Sequence, residues 1–197
     1  NDFSFYKADV TFTVFDPHRP GHEMKYYPGN TSLRLADAVV INKIDSADNA
    51  GINTVRDNIR KVNPTASIIE AASPVTVEHP EMIRGKRVLV VEDGPTLTHG
   101  EMKYGAGVVA AQKLGAKELV DPRPYTVKSI SATFEKYPNI GVLLPAMGYG
   151  NAQLKDLETT INNTKCDAVV IGTPIDLSRY IKIKKPSTRV KYDLQEI

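Results

Sequence analysis

Asn42, Lys43 and Asp45 stand in an N-K-x-D tetrad directly after the apolar run Ala38-Val39-Val40-Ile41. A carboxylate placed as Asp45 is can accept from the two donors on guanine's edge, the ring N1–H and the exocyclic amine. Adenine presents a lone pair there, so the same group attracts one base and repels the other. Asn42 would bond the far edge of the base or tie neighbouring loops together, and the Lys43 stem would lie along the base plane. A later strand ends in Glu70-Ala71-Ala72-Ser73, where a short loop could cap the base through the backbone of Ala72 and Ser73. The competing reading is that Asn42 and Asp45 only cap the helix that follows.

Two further clusters carry chemistry. Asp16, His18, Arg19, His22 and Glu23 follow the first strand. Arg19 could neutralise phosphate charge and His18 or His22 could move a proton, with Asp16 beside them. His18 and His22 at i, i+4 would suit a metal on a helix, but Pro17 and Pro20 break that helix, so no metal site is expected. A solvated loop is the alternative. The second cluster, Glu92 to Gly100, joins a buried strand to a Gly/Ala-rich helix. Asp93 and His99 are candidate catalytic groups, and Thr96, Thr98 and Gly100 are candidate ligands of an anionic substrate at the helix amino terminus. Gly105 and Gly107 would let backbone N–H groups approach closely. Here the alternative is a structural loop whose threonines cap the helix.

Arg123, braced by Pro122 and Pro124, could grip a carboxylate or phosphate, or pair with Asp121. Arg179, Lys182, Lys184, Lys185, Arg189 and Lys191 form a basic run with no acid between them. No aromatic residues interleave in the pattern of a nucleic-acid surface, so a solvated face is expected. Cys166 precedes an apolar run and should simply pack there.

Positioning these residues requires a scaffold, and its pattern is regular. Strand runs are expected at 10–15, 38–41, 67–71, 87–91, 118–120, 140–144, 167–171 and 188–192. Ile52, Val55, Ile59 and Val62 form one helical stripe that stops before Pro64. Further helices are expected at 105–114, 127–137 and 151–163, with a short one after Pro174. Strands alternating with helices predict an α/β fold, with a mainly parallel sheet covered by helices on both faces. The stretch Pro74 to Gly85 is the expected seam, giving residues 1–84 and 85–197 as two halves.

Composition sets the outer limits. The 197 residues carry 25 basic and 23 acidic side chains, a net charge of +2, with 41% hydrophobic and 24% charged. That is ordinary for a soluble globular chain and excludes disordered, collagenous and coiled-coil classes. No apolar run is long enough for a membrane span. A single cysteine fits a reducing, cytoplasmic setting. Residues 1–84 hold nine basic and eleven acidic groups, and the rest hold sixteen and twelve. The basic half suits a phosphorylated partner.

No G-x-x-x-x-G-K-[ST] loop is present to cradle phosphates, and only 41 residues precede Asn42. The expectation is therefore a chain that holds the base-recognition part of a nucleotide domain and begins after the phosphate-binding part. From Ala8 to Ala47 it resembles the GTPase branch of the nickel-insertion proteins. A longer match runs through D-P-H-R-P-G-H-E (16–23), Y-Y-P-G (26–29), I-N-K-I-D (41–45), A-A-S-P-V-T-V (71–77), R-G-K-R-V-L-V-V-E-D-G-P-T-L-T-H-G (84–100), K-Y-G-A-G (103–107), V-D-P-R-P-Y (120–125), P-A-M-G-Y (145–149) and V-I-G-T-P-I-D-L (170–177). These resemble the carboxyl-terminal part of the cyclic 2,3-diphosphoglycerate synthetase family.

The resemblance implies a P-loop NTPase-like fold lacking its amino-terminal part. It implies GTP or ATP with Mg²⁺ as cofactors, and a reaction that closes the two phosphates of 2,3-diphosphoglycerate into a cyclic anhydride. The partners would be a small phosphorylated substrate and the absent P-loop segment, with a homodimer allowed. Rival readings are a regulatory GTPase or metallochaperone switch, and a non-catalytic α/β binding module.

Overall fold

The computed structural model describes residues 7–94 and 104–197. Its contacts divide the chain into one unit of residues 1–74 with 193–197 and a second of residues 75–192. The division at 74/75 falls at the start of the stretch Pro74 to Gly85.

In the first unit, β1 (Phe12–Phe15), β2 (Ala38–Ile41) and β3 (Ser67–Ala72) run parallel in that order, and β10 (Gln195–Glu196) adds antiparallel to β3. All four residues of β2 are buried, which requires cover on both faces of the sheet. The short helices α1 (His22–Lys25) and α2 (Gly29–Leu35) fill the connection between β1 and β2, where no helix was expected. The long amphipathic α3 (Asn49–Val62) links β2 to β3. Its stripe is as the spacing predicts, with Ile52, Val55 and Ile59 buried. Leu33, Val39, Ile41, Val55 and Ile59 form the core of this unit. Asn63, just past α3, ties it to α2 by donating from Nδ2 to the carbonyls of Leu33 and Ala36 at 2.9 and 2.8 Å.

In the second unit, β4 (Val75–Val77), β9 (Ser187–Tyr192), β8 (Ala168–Ile171) and β5 (Arg87–Asp93) lie side by side, β4 being antiparallel to β9 and the others parallel. Val88 pairs with Ala168 on one edge and Leu119 on the other, and Val91 with Ile171 and Leu144. Hence β6 (Glu118–Leu119) and β7 (Leu144–Ala146) follow one another along the same edge of β5. The chain runs to one side of β5 first and to the other side later, so the end of β5 is a topological switch point. Helices α4 (Ala106–Lys113), α5 (Lys128–Lys136) and α6 (Asn151–Asn163) complete the unit. The core of β5, Val88 to Glu92, is buried throughout, as is all of β8.

The α/β class with mainly parallel strands and covered faces therefore holds, and is consistent with a P-loop NTPase-like domain. Further differences from expectation lie in the second unit. The strand expected at 140–144 is β7, shifted to Leu144–Ala146. The earlier apolar residues bond locally, Leu143 N–H to Gly141 O at 3.0 Å, and Val142 stays 41% exposed. Pro145 is tolerated because, among the described residues, β7 pairs on one side alone, with β5. β4 forms within the expected seam, because its partner β9 returns from far along the chain. The short helix after Pro174 is a single 3-10 turn, Leu177–Arg179. No helix among the described residues is long and apolar enough to cross a membrane.

Candidate functional site

In the first unit, the tetrad occupies the loop leaving β2. The Asn42 N–H donates to Phe15 O at 3.0 Å, so its backbone prolongs the β1–β2 ladder. Its side-chain Oδ1 is buried with no hydrogen-bond partner. Lys43 has φ 62°, the left-handed region that a residue with a Cβ seldom enters. Its carbonyl accepts from the amides of Ser46 and Ala47 at 3.1 and 3.0 Å. Its ammonium donates to Asp16 Oδ2 at 2.7 Å. Asp45 is exposed, and its Oδ1 accepts the Ser73 N–H at 2.9 Å. The Ile44 amide donates to Ala71 O at 3.2 Å. The end of β3, with Ala72 and Ser73, is thereby brought against the tetrad.

The helix-capping alternative does not hold. Asp48 is the N-cap of α3, accepting from the Gly51 amide at 2.6 Å, and neither Asn42 nor Asp45 takes part.

The loop after β1 packs on the same place. Asp16 bonds Lys43 and sits 3.5 Å from Arg19 Nη2, and its Oδ1 accepts the His18 N–H at 3.0 Å. Burial pushes the Asp16 carboxyl up, but the Lys43 bond and charge, the His18 amide and the Arg19 charge together bring it below the usual carboxylate value. His18 Nε2 lies 3.0 Å from Ser46 Oγ. A Cβ on Gly51 would stand 2.4 Å from Pro17 O, so the loop rests against the first turn of α3. His22 starts α1, and its ring lies against Tyr26 at a 45° tilt with centres 4.6 Å apart. Neighbouring Glu23 is 2% exposed, accepting from the Gly21 amide and from Asn58 Nδ2. His18 lies outside α1, so the i, i+4 pair shares no helix face. Among the described residues no group of three His, Cys, Asp or Glu side chains could hold a metal.

In the second unit, the feature that sequence reasoning missed is Glu92. It lies at the end of β5 and is 2% exposed. Its Oε1 accepts the Val108 N–H at 2.9 Å, and the Gly105 and Gly107 amides also bond it. These are the amides at the start of α4, whose own N-cap, Gly105, has no side chain to offer. The N–H groups expected to reach a substrate anion are thus given to an internal carboxylate. A Cβ at Gly105 or Gly172 would fall 2.5 Å from Glu92 Oε2, and one at Gly107 would fall 3.1 Å from Oε1. The three glycines form a cradle shaped to this side chain. Burial pushes its carboxyl up to about 7, against the lowering effect of the three amides, and the Asp93 charge adds to the rise. The available signal was the acid following the apolar run Val88–Val91, with glycines at the start of α4 and directly after β8.

Tyr149, after β7, has a buried hydroxyl without a hydrogen-bond partner, and burial and the Asp93 charge push its pKa above the ordinary phenol value. Arg123 is engaged structurally. Its Nη1 reaches both oxygens of Asp121 at 3.0 Å, its Nη2 donates to Ile140 O, and its guanidinium sits 4.7 Å from the Phe134 ring centre. Thr96, Thr98, His99 and Gly100 lie outside the described residues. The basic run is partly absorbed as well. Lys185 donates to the carbonyls of Ile161 and Asn162 at the end of α6, Arg179 and Arg189 face Asp176, and Lys191 pairs with Glu78.

No family model matches the chain. The chain is 61% identical, over all its 197 residues, to a protein named arginine synthetase ArcE from Thermococcus kodakarensis. It spans 44% of that relative's length.

Proposed function

We propose that this chain carries the base-recognition part of a nucleotide-dependent synthetase whose phosphate-binding loop lies in another part of a longer polypeptide. The observation that carries the reading is the state of the tetrad. Asp48 caps α3, which leaves Asn42 with a buried, unpartnered Oδ1 and Asp45 exposed beside the Ser73 amide. Asn42, Lys43, Asp45, Ala72 and Ser73 then hold the base, with guanine favoured by the Asp45 carboxylate. Mg²⁺ accompanies the nucleotide's phosphates.

The synthetase class is supported by the 61% identical relative, whose name states synthesis of arginine. A guanidinium is a condensation product, and condensation in water is made favourable by coupling it to nucleotide cleavage. A longer polypeptide is supported by the relative's extra length and by the uncovered face of β1, where Phe12, Val14 and the preceding Val10 stand 61%, 56% and 58% exposed. Asp16, His18, Arg19 and His22 follow β1 directly, and Arg19 would face the phosphates. Asp93 belongs to the end of β5, where ligands of parallel sheets collect. A second reading keeps the same nucleotide site and replaces the product with cyclic 2,3-diphosphoglycerate, favoured by the E-D-G-P-T-L-T-H-G string.

The test uses the full-length protein. GTP or ATP cleavage is followed with a ureido precursor of arginine plus ammonium ions in one arm and with 2,3-diphosphoglycerate in the other, and products are identified by mass spectrometry. Stimulation in the first arm with release of arginine supports the first reading, and a cyclic product in the second arm supports the other. Nucleotide cleavage unaffected by either would remove the synthetase proposal and leave a GTPase switch. For the base, Asp45→Asn should abolish any preference for GTP over ATP.

A further inference from the structure

Lys43 is held at both ends. Its backbone sits at φ 62° with the carbonyl taken by the Ser46 and Ala47 amides, and the Ser46 hydroxyl also donates to it at 3.3 Å. Backbone in this region persists in a residue other than glycine only where the surroundings determine it. At the far end, the ammonium is bonded to Asp16. Asp16 is in turn steadied by the His18 amide and by Arg19, and its neighbours are anchored too, Pro17 against Gly51 and His18 against Ser46. Three consecutive residues of one loop each engage a different residue of the segment 43–51. For a half-exposed ion pair such constraint adds little to folding stability. Its effect falls instead on the methylene stem stretched between the two fixed ends.

We propose that Asp16 is a positioning residue for the base site, pinning the Lys43 ammonium so that the methylene stem stands as a preformed ledge for a planar base. The inference rests on the nucleotide reading above and deepens it. A free lysine has to lose rotamer freedom when a base packs on it, and a pinned one has lost that freedom before the ligand arrives. Asp16 thereby acts in base binding without touching the nucleotide.

The test is calorimetric titration of GTP into the full-length protein as wild type, Asp16→Asn, Lys43→Met and the double variant. Asp16→Asn should weaken GTP roughly three- to tenfold, the range that ordering one long side chain spans. In the Lys43→Met background the same substitution should add nothing, because the group it positions has gone. Losses that add independently would overturn the proposal, as would Asp16→Asn binding GTP like wild type. Should Asp16→Asn fail to fold, side-chain couplings of Lys43 in the nucleotide-free wild type decide the matter. One restrained rotamer is expected, and free averaging overturns the idea. A wild type that binds neither GTP nor ATP sinks the base reading and this inference together. Binding with normal guanine preference but no effect at Asp16 removes the inference alone.

Discussion

The Val108 amide donates to Glu92 Oε1 at 2.9 Å, so a side chain from the end of a central strand caps a helix sixteen residues further along the chain. The helix amino terminus is thereby satisfied from inside the fold, by an acid whose burial and whose amide bonds pull its ionisation in opposite directions.

Stability should fall as pH rises through the weakly acidic range. The Glu92 carboxyl moves from 4.5 to about 7, so between those values the folded state holds a proton that the unfolded chain releases. The contribution is full below pH 4.5, declines through the interval and is lost above 7, by about 3 kcal/mol at most. Thermal melts from pH 4.5 to 8 should show this slope, and Glu92→Gln should flatten it. Asp16, whose carboxyl is lowered, acts in the opposite direction and only at more acid pH.

Filling the glycine cradle should be disruptive. Gly172→Ala puts a Cβ 2.5 Å from Glu92 Oε2, and the backbone at Gly172, just past β8, is held by its N–H donating to Val91 O at 2.8 Å. A loss of about 1–3 kcal/mol is expected from overpacking. Gly29→Ala is the control, since a Cβ there meets nothing within 4 Å. Denaturant midpoints of the two variants should separate clearly, with Gly29→Ala at or above wild type.

Asp48 and Asp45 should behave differently although three residues apart. Asp48→Ala removes the α3 cap and should lower stability by about 0.5–2 kcal/mol, with little change in nucleotide preference. Asp45→Ala frees only the exposed contact to the Ser73 amide and should shift stability far less. Paired denaturation and nucleotide-affinity measurements check both. Equal destabilisation would return Asp45 to a structural role.

Phe12 should matter more than its own contacts here suggest. It is 61% exposed on one face of β1. If another part of the longer polypeptide covers that face, Phe12→Asp should destabilise the full-length protein by about 2 kcal/mol or more, the value of a buried aromatic side chain. A change in stability within about 0.5 kcal/mol by denaturation would show the face uncovered.

The sequence by itself determined those elements whose signal is local. The runs Ala38–Ile41 and Ala168–Ile171 are apolar at every position, so both had to be strands buried on two faces. The α3 stripe and the span Asn151–Asn163 follow from helical spacing alone. The placement of N-K-x-D at a strand end was legible for the same reason. What only the tertiary structure decided concerns partners far apart in the chain. Local pattern could not say whether Asp45 or Asp48 caps α3, because both stand before the helix and only the Ser73 amide, 28 residues later, engages Asp45. Glu92 was overlooked because an acid ending a strand reads as solvent-facing until glycines from two other elements close around it. Gln195 and Glu196 carry no strand signal, and they form β10 only because β3 leaves an edge for them. Side-chain period is a property of neighbours along the chain. Capping, cradling and strand addition depend on which distant backbone groups the fold brings within a hydrogen bond.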